Sequence, residues 1–294
     1  MGRIMSGAWL DASEEMLAKT CLPRKAWSRK GENGVVLVVG GSWLYHGAPF
    51  LVSMAAMRTG VDLVYTAVPE KIATPIRALS PSLIVIPLPD YKLTSKSVDK
   101  ITKVLDNVTS VAIGPGLAKG CEKGVIKLVK LLAENNVPMV LDATALFGDI
   151  LLHVAGSRVV LTPHAGEFKR LFGFDAGNTL EERAENALKS ASTHRVVVLV
   201  KGHVDVISDG REVVVNRKDP LTAAMTVGGT GDVLTGVVAG FLAKAVSPFN
   251  AAVAAAVANG YAGMAAAQKK GLHITPEDVI AEIPFVLKKY DAVV

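Results

Sequence analysis

The stretch Ala224-Met225-Thr226-Val227-Gly228-Gly229-Thr230-Gly231-Asp232-Val233-Leu234 sets three glycines and two threonines against a single carboxylate, directly ahead of an apolar run. Glycines open backbone conformations closed to other residues. The N–H groups of a helix's first turn, at the positive end of its dipole, attract anions. The stretch therefore reads as a phosphate cradle at a helix start. A carboxylate in that place repels phosphate, so Asp232 reads as a general base for a substrate proton, a role that contributes roughly 100- to 10,000-fold. The alternative is an ordinary first-turn acid, favourable by about 1 kcal/mol or less. The string is not a P-loop, since no Lys follows the glycines, and it lacks the preceding strand of a G-x-G-x-x-G dinucleotide fingerprint.

Outward from this stretch, β-branched runs alternate with helical patterns, the sequence sign of βαβ units and a mainly parallel sheet. Val35–Val39, Leu63–Val68, Leu83–Pro87, Ser110–Ile113, Pro138–Leu141, Val159–Leu161, Val196–Val200 and Val204–Ser208 read as strands. Several are apolar on both faces, as strands covered by helices on either side should be. Covering helices are expected at Ala48–Thr59, Gly124–Glu134, Gly166–Leu171, Glu181–Ser192 and Asp232–Ala245. Val204–Ser208 and Glu212–Val215, joined by Asp209-Gly210, form an expected hairpin at the sheet edge. No internal repeat or linker divides the chain, so residues 1–294 are read as one domain.

Half of the 294 residues are apolar, enough for a large core. The net charge of +5 is a mild excess that suits small anionic ligands. Nucleic-acid binding calls for basic residues clustered with aromatics, and aromatics make up only 5% of the chain. Cys21 and Cys121 stand far apart with no C-x-x-C, so neither a disulfide framework nor a cysteine zinc site is indicated, and a cytoplasmic protein is expected. Met1–Asp11 is too short an apolar run for a signal peptide. Ala245–Ala267 carries no charge, but it is mostly Ala and broken by Pro248, Asn250 and Asn259. It reads as a close-packed interior helix rather than a membrane span, and the nearby Gly236/Gly240 pair as helix packing.

The remaining motifs fall where strands end, the edge at which open parallel sheets bind ligands. Gly40-Gly41-Ser42-Trp43-Leu44-Tyr45-His46-Gly47-Ala48-Pro49 follows the first strand and leads into a helix whose N-terminus suits an anionic or polar group. Gly114-Pro115-Gly116-Leu117, Asp142-Ala143-Thr144, Thr162-Pro163-His164-Ala165-Gly166-Glu167 and Lys201-Gly202-His203-Val204-Asp205 follow later strands. Each turn alone has a plain structural reading: His164 is also a satisfied polar residue at a strand end, and Lys201 also a solvated loop lysine. Together with Gly-Thr-Gly-Asp they define one expected crevice.

In this order, together with Leu22-Pro23-Arg24 and Lys30-Gly31, the motifs resemble the nucleotide-dependent NAD(P)H-hydrate dehydratases of the ribokinase-like superfamily. The resemblance implies an α/β ribokinase-like fold. It also implies repair of the S forms of NADHX and NADPHX, the hydrated forms of NADH and NADPH, with ADP or ATP as co-substrate and Mg²⁺ as cofactor. It places Ala48, Gly116, His164 and Asp232 against the hydrated dinucleotide, with Asp232 catalytic. It places Lys201, Gly202, His203, Val204 and Asp205 against the nucleotide, along with Thr222, Ala223, Ala224, Met225, Thr226, Val227, Gly228, Gly229, Thr230 and Gly231. No metal ligand is assigned. The resemblance and the Ala-rich helices lead to an expected homo-oligomer, and the epimerase domain fused to some family members is read as a separate partner. A small-molecule alcohol kinase of the same superfamily and a non-catalytic nucleotide-binding protein are the alternatives.

Two departures from the family pattern bear on the site. Thr144 replaces the usual second acid after Asp142, and Arg217-Lys218-Asp219-Pro220-Leu221-Thr222-Ala223-Ala224 replaces a shorter Thr-Gly-Asn-Pro-Gly stretch. The latter adds two cations and one acid near the nucleotide, which by Coulomb attraction favours ATP. Exposed loop charges are screened beyond about 8 to 10 Å, and the bare phosphate loop resembles microbial members that use ADP, so ADP is expected.

Overall fold

The computed structural model describes residues 9–294, so the reading of Met1–Asp11 lies outside the described residues apart from its last three. Ten strands form one sheet: β1 (Leu10–Asp11), β2 (Val35–Val39), β3 (Leu63–Pro69), β4 (Ile84–Leu88), β5 (Ser110–Ile113), β6 (Met139–Leu141), β7 (Val159–Leu161), β8 (Val197–Val200), β9 (Val204–Ser208) and β10 (Val213–Arg217). Their spatial order is β1-β10-β9-β8-β7-β6-β5-β2-β3-β4. β9 runs antiparallel to both neighbours and every other pair is parallel. The β9–β10 hairpin forms as expected but does not lie at the edge. β1 pairs with β10 on its outer side through Leu10 and Asp11, a segment too short to show a strand pattern.

The sheet is buried on both faces, which explains its uninterrupted Val/Ile/Leu runs. Val36 and Val38 of β2 point into one core while Val35, Leu37 and Val39 point into the other. The first core is closed by α1 (Glu14–Thr20), α2 (Gly47–Arg58), α3 (Glu70–Leu79), α9 (Thr230–Ala243), α10 (Pro248–Lys270) and α11 (Pro276–Leu287). The second is closed by α4 (Ser95–Leu105), α5 (Glu122–Glu134), α6 (Leu151–Val154), α7 (Ala165–Phe172) and α8 (Leu180–His194).

α9 and α10 carry the site's back wall and are apolar almost all round, so they are buried. α10 begins at Pro248, capped by Ser247, later than the uncharged run starts; Ala245 takes a left-handed conformation (φ 62°) in the joint. Gly236 and Gly240 of α9 lie against α2: a Cβ at Gly236 overlaps the Val52 carbonyl, and one at Gly240 overlaps the Thr59 hydroxyl. The two helices therefore approach at backbone contact, which fixes the position of α9's first turn. No single helix among the described residues is long and apolar enough to cross a membrane.

Candidate active site

The turns after the parallel strands are tied to one another sideways. Gly41 N–H donates to the Pro115 carbonyl (2.9 Å), Asp142 N–H to Ile113 (3.1 Å) and Lys201 N–H to Pro163 (2.9 Å). The five turns therefore lie along one edge, as the sequence reading expects. Gly114 has φ 126°, and a Cβ there overlaps the Asp142 carbonyl, so glycine is required where these two turns cross.

At the centre stands Asp142, 2% exposed. Its Oδ1 is 2.6 Å from Lys201 Nζ, and its Oδ2 accepts from Thr235 Oγ1 at 2.7 Å. Thr235 Oγ1 also lies 3.0 Å from the Gly231 carbonyl, so the carboxylate is linked to the first turn of α9. Glu167 Oε2 stands 3.5 Å from the same ammonium. Burial alone would lower the Lys201 pKa, but Asp142 and Glu167 hold it above the ordinary lysine value. Thr144, at the position of the missing second acid, donates to the Leu117 carbonyl instead (3.1 Å).

Asp232 sits in the first turn of α9. Burial, then the Asp142 and Glu167 carboxylates, push its pKa from 3.8 up to about 7, with Lys201 offsetting only part of the rise. A carboxyl poised near neutrality is matched to accepting a proton at physiological pH. Gly229 precedes it in a left-handed conformation (φ 103°), and no side chain caps the helix, so its first N–H groups remain for a ligand. The Thr230 hydroxyl folds back onto the Met225 carbonyl at 2.7 Å, which shapes the turn. The Lys201 ammonium lies 3.6 Å from where a Cβ at Gly231 would stand, so an anion on this turn meets backbone N–H groups and a lysine together.

Beside the turn opens a cleft of about 600 Å³. Of the nucleotide residues expected from the sequence, Lys201, Gly202, His203, Val204, Asp205, Thr222, Ala223, Met225, Thr226, Thr230 and Gly231 line it. Ala224 does not; it is buried in the core. Val227, Gly228 and Gly229 lie outside the lining as well, and Gly229 packs towards Pro276 and Leu51. Asp205 faces inward: Gly202 N–H (3.0 Å), Lys218 Nζ (2.9 Å) and Asn216 Nδ2 (3.1 Å) all donate to it. Lys218, one of the two added cations, is thus neutralised, and the other, Arg217, pairs with Asp11 at 3.0 Å. Neither added cation is left without a carboxylate partner to favour ATP.

His164 serves the framework and keeps one face open. Its Nδ1 accepts from Gly166 N–H (3.0 Å) and Glu167 N–H (3.2 Å), capping α7, while the Glu167 carboxylate accepts from His164 N–H (2.9 Å). Nε2 is the nitrogen left to donate, and it stands 3.6 Å from Glu167 Oε1. Gly116 is packed so closely against the next loop that a Cβ would come 2.6 Å from the Tyr45 carbonyl and 3.0 Å from the Ala48 methyl. Thr235, Glu167 and Asn259 carry no role that the sequence alone suggests. Asn259, a carboxamide in the middle of the Ala-rich α10, lines the cleft with its buried Oδ1 unpaired. A second cavity, of about 490 Å³, is lined by Thr109, Pro138 and Arg158 at the opposite ends of the strands, away from Asp232.

A mainly parallel sheet with a glycine-rich helix start and a poised carboxylate at its carboxyl edge defines a ribokinase-like α/β protein. The solved ADP/ATP-dependent NAD(P)H-hydrate dehydratase of Bacillus subtilis, co-crystallised with ATP and Mg²⁺, superposes with a TM-score of 0.81 at 28% identity, covering 97% of this chain and 99% of that one. The family model for NAD(P)H-hydrate dehydratase matches residues 36–285, and the chain belongs to that family. The ADP-dependent (S)-NAD(P)H-hydrate dehydratase of Nitrosopumilus maritimus is 48% identical over 94% of this chain and 96% of its own length. The bifunctional NAD(P)H-hydrate repair enzyme of Pyrobaculum aerophilum is 46% identical over 91% of this chain, which spans 53% of that longer protein.

Proposed function

We propose that the protein dehydrates the S forms of NADHX and NADPHX to NADH and NADPH at the expense of ADP, releasing AMP and phosphate. The observation that carries this reading is Asp232, a carboxyl poised at about 7 beside an uncapped helix start and the Lys201 ammonium. The 48% identity to ADP-dependent dehydratases over nearly the whole chain favours it over an alcohol kinase of the same superfamily.

Direct dehydration must expel hydroxide, whose conjugate acid has a pKa of about 15.7. Phosphate, with a second pKa of about 6 in its esters, is a far better leaving group. Asp232 takes the proton of the ring hydroxyl as that oxygen attacks the terminal phosphoryl group, and AMP departs with the bond it breaks. The N–H groups of Gly229–Gly231 and the Lys201 ammonium meet the charge on the transferred phosphoryl oxygens. Phosphate then leaves the ring carbon with the bonding electrons and takes up the proton lost from the neighbouring carbon, restoring the double bond. Ala48, Gly116 and His164 hold the ring side, and the cleft beside Lys201 holds the nucleotide.

Among the described residues no group of three or more His, Cys, Asp or Glu side chains is arranged to hold a metal ion. Mg²⁺ bound to the nucleotide's phosphates would supply charge neutralisation beside Lys201. We place the enzyme in the cytoplasm, where its unpaired Cys21 and Cys121 stay reduced, as a homo-oligomer supplied with the S form by a separate epimerase. Mixing the protein with NADHX, Mg²⁺ and ADP tests the reading: recovery of reduced-nicotinamide absorbance supports it, and a stable phosphorylated product without that absorbance supports the kinase.

A further inference from the structure

Trp43, Leu44 and Tyr45 are 76%, 72% and 60% exposed, three successive large apolar side chains left in water on the loop between β2 and α2. Nothing in the reaction as described uses them. The loop is anchored at both ends: Gly41 N–H donates to Pro115, and Tyr45 N–H to Ser42 Oγ (3.3 Å). The Tyr45 carbonyl packs against Gly116, next to Ala48. The apolar side chains are therefore held at the rim of the crevice, continuous with its floor.

Strand order places this rim relative to the chemistry. The turns after β8, β7, β6, β5 and β2 lie side by side, with the nucleotide cleft at the β8 end and Trp43 at the β2 end. Four strand steps of roughly 4.8 Å span about 19 Å, so the crevice is elongated. Asp142, after β6, lies between the two ends and ties Lys201 at the β8 end to α9, whose first turn carries Asp232. A dinucleotide whose hydrated ring is at Asp232 must lay its other half towards β2. That half ends in adenine, which keeps its aromatic face, whereas the hydrated nicotinamide ring has lost its own.

We infer that Trp43 is a specificity-determining residue that stacks on the adenine ring of the hydrated dinucleotide, with Tyr45 beside it. The inference rests on the dehydratase reading above. Stacking of a base on an aromatic side chain yields binding energy remote from the reacting carbon, which anchors the substrate without altering the phosphoryl-transfer step.

The test compares wild type with Trp43→Ala and Trp43→Phe on NADHX and on the hydrated reduced nicotinamide mononucleotide, which lacks adenylate. Trp43→Ala is expected to raise KM for NADHX about 5- to 150-fold, the range of one lost base stack, with kcat and KM for ADP unchanged. Trp43→Phe restores most of the affinity, and the mononucleotide is turned over equally by all three proteins. An unchanged KM for NADHX overturns the inference, as does an equal loss on the mononucleotide. So does a change in oligomer size in Trp43→Ala, which makes the patch a contact between copies of the chain. A second readout does not need turnover: NADH quenches tryptophan emission in wild type, and the Trp43→Phe change removes that quenching. If no protein turns over NADHX yet the Trp43-dependent quenching remains, the dehydratase reading fails and the stacking site stands.

Discussion

Lys201 Nζ and Asp142 Oδ1, 59 residues apart in the chain, meet at 2.6 Å beneath the first turn of α9. The carboxylate is buried and its other oxygen is held by Thr235, so the pair joins the β6, β8 and α9 segments at the point where phosphate is expected. A buried pair is a poor source of net stability, but removing one partner leaves the other charge stranded.

Lys201→Met should therefore destabilise the protein by roughly 3–5 kcal/mol, read from denaturant unfolding. Adding Asp142→Leu to it should recover most of that loss. If the double variant is less stable than the single one, Asp142 is not stranded by loss of the lysine.

The pH dependence of kcat/KM should show an acid limb centred near 7, the value to which Asp232 is raised. Activity grows as pH rises through this value, because only the ionised carboxylate accepts a proton. Asp142→Asn removes one of the two carboxylates that raise it and should move the limb to lower pH. A limb that stays in place shows that the profile reports another group.

Asp232→Asn should lower turnover by roughly 100-fold or more while leaving ADP binding near wild type. Stability should move the other way. The folded state holds the Asp232 proton up to about 7, whereas the unfolded chain releases it near 3.8, so wild-type stability falls as pH rises between these values. Asparagine has no such loss. The melting-temperature advantage of Asp232→Asn should widen from pH 4 to pH 7, and a flat difference would show that the carboxyl is not strained by its surroundings.

Gly240→Ala places a methyl on the Thr59 hydroxyl and wedges α9 away from α2. A loss of about 1–3 kcal/mol is expected, the usual range for overpacking, together with reduced turnover because α9 carries Asp232. Thermal unfolding and kcat measured on the same preparation check both effects.

Strands were legible where burial on both faces left β-branched runs. Val35–Val39, Ser110–Ile113, Val159–Leu161 and Val204–Ser208 coincide with β2, β5, β7 and β9 to the residue. Helices α3 and α11 were not, because Pro75 and Pro284 lie inside them and read as breakers. α4 starts with a Thr94/Ser97 capping box, whose serine in place of the usual Glu or Gln hides the signal. In the site, Asp232 and the glycine turn could be read because their chemistry is local. The Asp142–Lys201–Thr235 linkage could not, since contacts 59 and 93 residues apart leave no local pattern. The neutralisation of Lys218 and Arg217 by Asp205 and Asp11 was hidden for the same reason.

The fate of the ring oxygen separates phosphoryl transfer from direct loss of water. NADHX carrying a heavy-oxygen label in its ring hydroxyl is incubated with the protein, Mg²⁺ and unlabelled ADP, and the products are separated by mass. Attack of that hydroxyl on the terminal phosphoryl group, with Asp232 as base, places the label in inorganic phosphate, in step with the AMP and NADH released. Label found in water, with phosphate unlabelled, would mean that the hydroxyl leaves without being phosphorylated.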